Sequence, residues 1–233
     1  MSDLNSLLKE LKSYKNPKKA KLLAGYFKTG KGQYGEGDIF LGIMLPTQRL
    51  IAKKYTTLSF GEIRKLLQSK VHECRLVALL ILVEQYRRGD ALSKKKIATF
   101  YLANTKRVNN WDLVDLSADK ILGEYLRDKD RNILYQLARS KNIWERRISI
   151  LSTFAFIREG EYKDTFKISE ILLSDSHDLI HKAVGWFLRE VGKKDQVAEE
   201  RFLKKHIHQL PRTTLRYAIE RFDEAKRKKY MSL

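Results

Sequence analysis

The stretch ECRLVALLIL, residues 73–82, has a counterpart in ERRISILSTF, residues 145–154, with Glu73 on Glu145 and Arg75 on Arg147 at an offset of 72. The midpoint of the two arginines is position 111, a tryptophan within VNNWDLVD, residues 108–115. A further apolar segment, LIHKAVGWFLREV from Leu179, lies one step along, so the spacing is about 36 residues. Within and between these stretches apolar residues recur at steps of three and four, and no stretch shows sustained strict alternation. The chain therefore reads as all-α.

A period of about 36 residues is close to that of helical-hairpin repeats. No tetratricopeptide or ankyrin consensus is visible, which favours an α-solenoid of degenerate, HEAT-like helix pairs. Stacking such pairs joins their apolar faces into one core and lines up the second helices as a common concave surface. We expect positions 75, 111, 147 and about 183 along it, in one repeat domain spanning residues 1–233. Pro17, Pro46 and Pro211 fall where elements should begin or connections end. Five of twelve glycines crowd into GYFKTGKGQYGEG, residues 25–37, which marks a long irregular loop over about residues 28–38. That loop does not match the G-x-x-x-x-G-K-[ST] phosphate loop, because no Gly-Lys-Ser/Thr follows and no strand precedes it.

Charge narrows the class of partner. With 47 Lys+Arg against 28 Asp+Glu the chain carries a formal +19 and a pI near 9.9, a field that concentrates polyanions and puts nucleic acid first. No segment approaches the roughly 18 apolar residues of a membrane span, and the N-terminus has neither a signal-peptide core nor a transit pattern. The expected address is cytoplasmic. Cys74 is the one cysteine, which excludes an internal disulfide and a cysteine-based zinc cluster. His206 and His208 lack acidic companions and read as surface histidines, so no metal site is expected.

Two tryptophan stretches stand out. In a helix expected from about Val108 to Leu126, Trp111, Val114, Ala118, Ile121 and Tyr125 form a core stripe, with Asp115 at its border. A carboxylate there costs several kcal/mol unless a cation or donor meets it, and Arg147, one repeat on, is the natural partner. By itself this reads as an N-capped helix with a core tryptophan and a structural ion pair before it reads as a site. In KAVGWFLRE, residues 182–190, Gly185 precedes Trp186, with Arg189 and Glu190 three and four residues on. A glycine inside a helix costs about 1 kcal/mol relative to alanine, so either close packing or binding is its reason.

Five blocks occur in order across nearly the whole chain: NPKKAKLLAGYFKTG (16–30), FLGIMLPTQR (40–49), NNWDLVD (109–115), IWERRISIL (143–151) and HKAVGWFLREVG (181–192). Together they resemble the DNA alkylation repair family of AlkD-type glycosylases. The resemblance implies a curved HEAT-like superhelix with a basic concave groove. It further implies binding of double-stranded DNA containing alkylated bases and hydrolysis of the N-glycosidic bond of N3- or N7-alkylated purines, without metal or other cofactor. Carried onto this chain, it implies Asp115 as the catalytic carboxylate and Trp111 and Trp186 as the flanking aromatic pair. It implies Arg147 and Arg189 on phosphates, with Tyr26 near the site; Lys182, Arg146 and Arg75 are candidate helpers. The family acts on a lesion still stacked in the duplex. TGKGQYGEGD, residues 29–38, has no counterpart in its best-known member, and some branches keep the fold without base excision, so a non-catalytic protein recognising damaged or branched DNA is the alternative. A bacterial, nucleoid-associated monomer is expected.

The chemistry fits one carboxylate. Breaking a glycosidic bond builds positive charge on the sugar, which a nearby carboxylate stabilises; orienting or activating the attacking water is the second role open to Asp115. A purine alkylated at N3 or N7 is already cationic and leaves neutral, so no second acid is required. Indole faces attract cations by about 0.5 to 2 kcal/mol, which favours such a base over an unmodified one. No lysine is placed as a Schiff-base nucleophile, so strand cleavage by β-elimination is not expected.

Overall fold

The computed structural model describes residues 3–233; the first two positions of the expected 1–233 domain lie outside the described residues. The described residues are helical apart from turns and loops, with a single isolated bridge between Ile39 and Val71. Contacts divide the chain into two compact units, residues 1–117 and 118–233.

The first unit contains α1 (Asp3–Ser13), α2 (Pro17–Tyr26), α3 (Leu45–Lys54), α4 (Phe60–Leu67), α5 (His72–Arg88), α6 (Ala91–Ala103) and the single turn α7 (Trp111–Asp115). Its centre is α5, where every residue from His72 to Leu82 is buried; a helix apolar nearly all round belongs in a core. α4 starts with a capping box, Ser59 accepting from the Glu62 N–H and the Glu62 carboxylate accepting from the Ser59 N–H, which satisfies two otherwise unpaired donors. Pro17 opens α2 and Pro46 opens α3, where a missing N–H costs nothing. α2 buries no residue, although it carries Lys18, Lys19 and Lys21.

The irregular segment between α2 and α3 is held at defined points. Gly35 N–H donates to the Lys28 carbonyl at 3.1 Å, closing a neck. Beyond it, the Ile39 N–H donates to the Lys70 carbonyl (3.0 Å) and the His72 N–H to the Ile39 carbonyl (2.9 Å). The buried Glu73 carboxylate then accepts from the N–H groups of Leu41, Gly42 and Ile43 at 2.8–3.2 Å. Gly42 adopts φ +86, and a side chain there would overlap the Asn16 carbonyl, so this turn admits glycine for both reasons.

The helix expected over 108–126 is interrupted. α7 ends at Asp115, a turn follows, and Asp119–Gly123 is a π-helical turn. Ser117 Oγ donates to the Leu113 carbonyl at 2.6 Å and meets the Tyr101 hydroxyl at 3.0 Å, a local bond that competes with the helical ladder. Val114, Ala118 and Ile121 are buried as expected, whereas Trp111 and Tyr125 are only half-buried.

The second unit continues with α8 (Asn132–Ala138), α9 (Ile143–Ser152), α10 (Phe154–Arg158), α11 (Lys163–Leu172), α12 (Asp178–Gly192), α13 (Gln196–His206), α14 (Arg212–Ala218) and α15 (Glu224–Met231). α12 is central, meeting α9, α11, α13 and α14. At Gly185 the Thr214 carbonyl of α14 comes so close that a Cβ would overlap it and would stand 2.6 Å from Tyr217 Cβ. Close helix packing therefore accounts for that glycine. Arg131 lies over the Phe156 ring at 3.7 Å and pairs with Glu161 and Asp164, each at 2.8 Å.

Candidate functional site

In the first unit the sequence places Trp111 and Asp115 one turn apart, and the structure gives both a half-exposed position on α7. Asn110 caps the turn by accepting from the Trp111 N–H at 2.8 Å. The Trp111 ring lies flat on Phe27, with centroids 4.9 Å apart and planes 8° from parallel. Tyr26, 65% exposed, meets the indole edge-on at 5.8 Å. Trp111 is thus a wall of a cleft and not part of a core stripe, because its helix is a single turn backed by an aromatic neighbour. The cleft is a cavity of about 270 Å³ whose lining includes Tyr26, Phe27, Met44, Trp111 and Asp115.

Beneath it is a polar network that sequence reasoning missed. His72, 1% exposed, directs Nε2 to Asp112 Oδ2 at 2.8 Å and Nδ1 to Asp38 Oδ2 at 3.1 Å. Its ring stacks on Phe40 at 4.6 Å and touches Phe27 at 4.9 Å. Arg75 donates to both Asp38 oxygens at 2.7 Å and to the Ser69 carbonyl at 3.0 Å. Asn110 Nδ2 reaches Asp38 at 3.4 Å. Burial opposes charge on His72, yet the bonds to Asp112 and Asp38 outweigh it and hold the imidazole above its usual value. Burial likewise opposes charge on Asp38, but His72 and Arg75 keep its carboxyl below the usual range. Asp38 ends the glycine-rich segment, and Asp112 sits on α7 between Trp111 and Asp115. The one signal in the sequence is spacing: Asp38, His72 and Asp112 follow one another at 34 and 40 residues, straddling the repeat length.

The other candidates lie in the second unit. Trp186 Nε1 donates to Glu190 at 2.9 Å. Arg189 pairs with Glu220 and lies 3.8 Å from Glu190. Lys182 is 2.8 Å from Asp178, one turn back on α12. Arg147 is buried, 5% exposed, and donates to the Leu179 carbonyl at 2.7 Å. Arg146 bonds Asp175 at 2.5 Å and the Ser140 and Lys141 carbonyls at 3.0 and 3.1 Å. The expected shared surface is not what positions 75, 147 and 183 occupy, since Arg75, Arg147 and Ala183 are all buried. Among the described residues no group of three or more His, Cys, Asp or Glu could hold a metal ion, and no helix is long and apolar enough to cross a membrane.

This all-helical architecture accords with comparisons to known proteins. The family model for DNA alkylation repair enzymes matches residues 7–222. The chain belongs to the DNA alkylation repair enzyme family, and that membership supports a role in alkylation repair. Among solved structures, a predicted DNA alkylation repair enzyme from Enterococcus faecalis superposes with a TM-score of 0.69 at 18% identity, over 90% of this chain and 97% of that one. At that identity the likeness is one of fold. No curated protein matches in sequence.

Proposed function

We propose that the protein is a monofunctional DNA glycosylase that hydrolyses the N-glycosidic bond of cationic N3- or N7-alkylated purines in duplex DNA. The observation that carries this reading is the half-exposed pairing of Trp111 with Asp115 on one turn of α7, in the wall of a cleft where Tyr26 meets the indole edge-on. The C1′–N bond breaks with its electron pair passing to the base, which leaves neutral. Asp115 stabilises the sugar cation as it forms, water adds at C1′, and its proton goes to the carboxylate or to solvent. Trp111 favours the cationic base.

Trp186, Arg189 and Lys182 on α12 are assigned to DNA on the family pattern, and the exposed lysines of α2 add phosphate contacts. Arg75, Arg147 and Arg146 are left out: the first two are buried, and Arg146 is held by Asp175 together with the Ser140 and Lys141 carbonyls. The formal +19 predicts affinity that falls steeply with salt.

The test is release of free 7-methylguanine or 3-methyladenine from methylated duplex by wild type and Asp115→Asn. We expect release by wild type, and a loss of at least about a hundredfold in the variant, the lower scale of removing one transition-state charge partner, with DNA binding kept. Equal release by both proteins removes Asp115 from the role. Tight binding with no release of any alkylated base selects the non-catalytic reading.

A further inference from the structure

The α7 turn contains five residues, too few to hold themselves helical in water. Its orientation therefore comes from what grips it. Trp111 and Asp115, four apart, share one side, and Asp112 is turned inward, 8% exposed, onto His72. The other His72 nitrogen faces Asp38. Two carboxylates at the two ring nitrogens require two N–H donors, and only the imidazolium form supplies both; either neutral tautomer would point a lone pair at a carboxylate. The charges then close: Asp38 and Asp112 against Arg75 and His72, with side chains no more than 10% exposed. Of the other groups around the ring, Glu73 is turned away to the N–H groups of residues 41–43, and Phe27 and Phe40 are uncharged.

We propose that His72 is a positioning residue: as an imidazolium bridging Asp112 to Asp38 of the glycine-rich segment, it sets the orientation of the turn that carries Trp111 and Asp115. The glycine-rich segment thereby acquires a task, since it delivers the second carboxylate and, through Asn110, a second hold on the N-terminal end of α7. The Phe27 ring, in contact with both His72 and Trp111, transmits the same constraint to the indole. Loss of the proton leaves one excess negative charge in a buried place and frees the turn. The functional consequence rests on the proposed glycosylase reading; the positioning itself does not.

The experiment labels the full chain with 5-fluorotryptophan and follows the Trp111 signal by 19F NMR from pH 5 to 9.5, with assignment by Trp→Phe substitution. We expect it to titrate with a midpoint above about 6.5, the ordinary histidine value. In His72→Gln the titration should vanish and amide exchange at residues 112–116 should rise at least about tenfold. Asp38→Asn should lower the wild-type midpoint, which decides the matter should His72→Gln fail to fold. A Trp111 signal flat across the range, or wild-type shift and exchange protection retained in His72→Gln, overturns the proposal. Where base release is measurable, His72→Gln should lower kcat with the Kd for DNA within about twofold. A titrating Trp111 in a protein that releases no base would refute the glycosylase reading and leave the positioning intact.

Discussion

Glu199 offers a prediction whose size can be worked out. It lies on α13, 1% exposed, in the space over Gly192 that any side chain at that position would fill, and its Oε1 has no hydrogen-bond partner. Burial, with the like charge of Glu200 added, pushes its carboxyl up to about 8 against 4.5 ordinarily, Arg189 opposing weakly. Between those values the folded chain retains a proton that the unfolded chain has released, so stability is present at acid pH and falls as pH rises. At about 1.36 kcal/mol for each pH unit, the loss from pH 5 to pH 8 is about 4 kcal/mol, large beside a typical total of about 5 to 15 kcal/mol. Glu199→Gln keeps the shape and removes the ionisation. The two proteins should be similarly stable at pH 5, and the variant should lead by about 4 kcal/mol at pH 8. Urea unfolding followed by circular dichroism at pH 5, 6, 7 and 8 measures this. His72 also loses its contribution as pH rises through its elevated value, but equally in both proteins, so it cancels in the difference. A difference constant within about 1 kcal/mol across the range would refute the reasoning.

Two further substitutions test the packing. Gly185→Ala should cost about 1 to 3 kcal/mol through overlap with the Thr214 carbonyl, although helix propensity favours alanine by about 1 kcal/mol; a raised Tm would contradict the close approach. Glu73→Gln replaces one accepting oxygen with an amide donor facing the N–H groups of residues 41–43, at a cost of about 1 to 3 kcal/mol. Limited proteolysis should then cut near residues 39–44 faster, and an unchanged digestion rate would count against the anchoring role.

Much of the helical class was legible because its signals are local. Apolar steps of three and four mark the buried faces, and Pro17, Pro46 and Pro211 stand at element starts. Trp111 and Asp115 were legible for the same reason, since four residues suffice to bring them to one side of a turn. The break after Asp115 was not, because Val114, Ala118 and Ile121 stay buried while the backbone passes through a turn into a π segment; the apolar pattern records burial and is silent on hydrogen-bond register. The pairing of Arg75 was hidden too. Its partner comes from a loop 37 residues away, and nothing nearby distinguishes a guanidinium held inside from one offered to phosphate.

The closed neck between Lys28 and Gly35 makes the tip of the glycine-rich segment an address for chemistry from outside. Lys31, Gly32 and Gln33 are exposed, and Asp38 is fixed beyond the neck by contacts that do not involve them. Cys74 is buried and its thiol is pushed up by that burial. A cysteine placed at position 33 would be the faster to take up a dye or cross-linker, giving a reporter a few residues from the Asp38 carboxylate without disturbing what holds it.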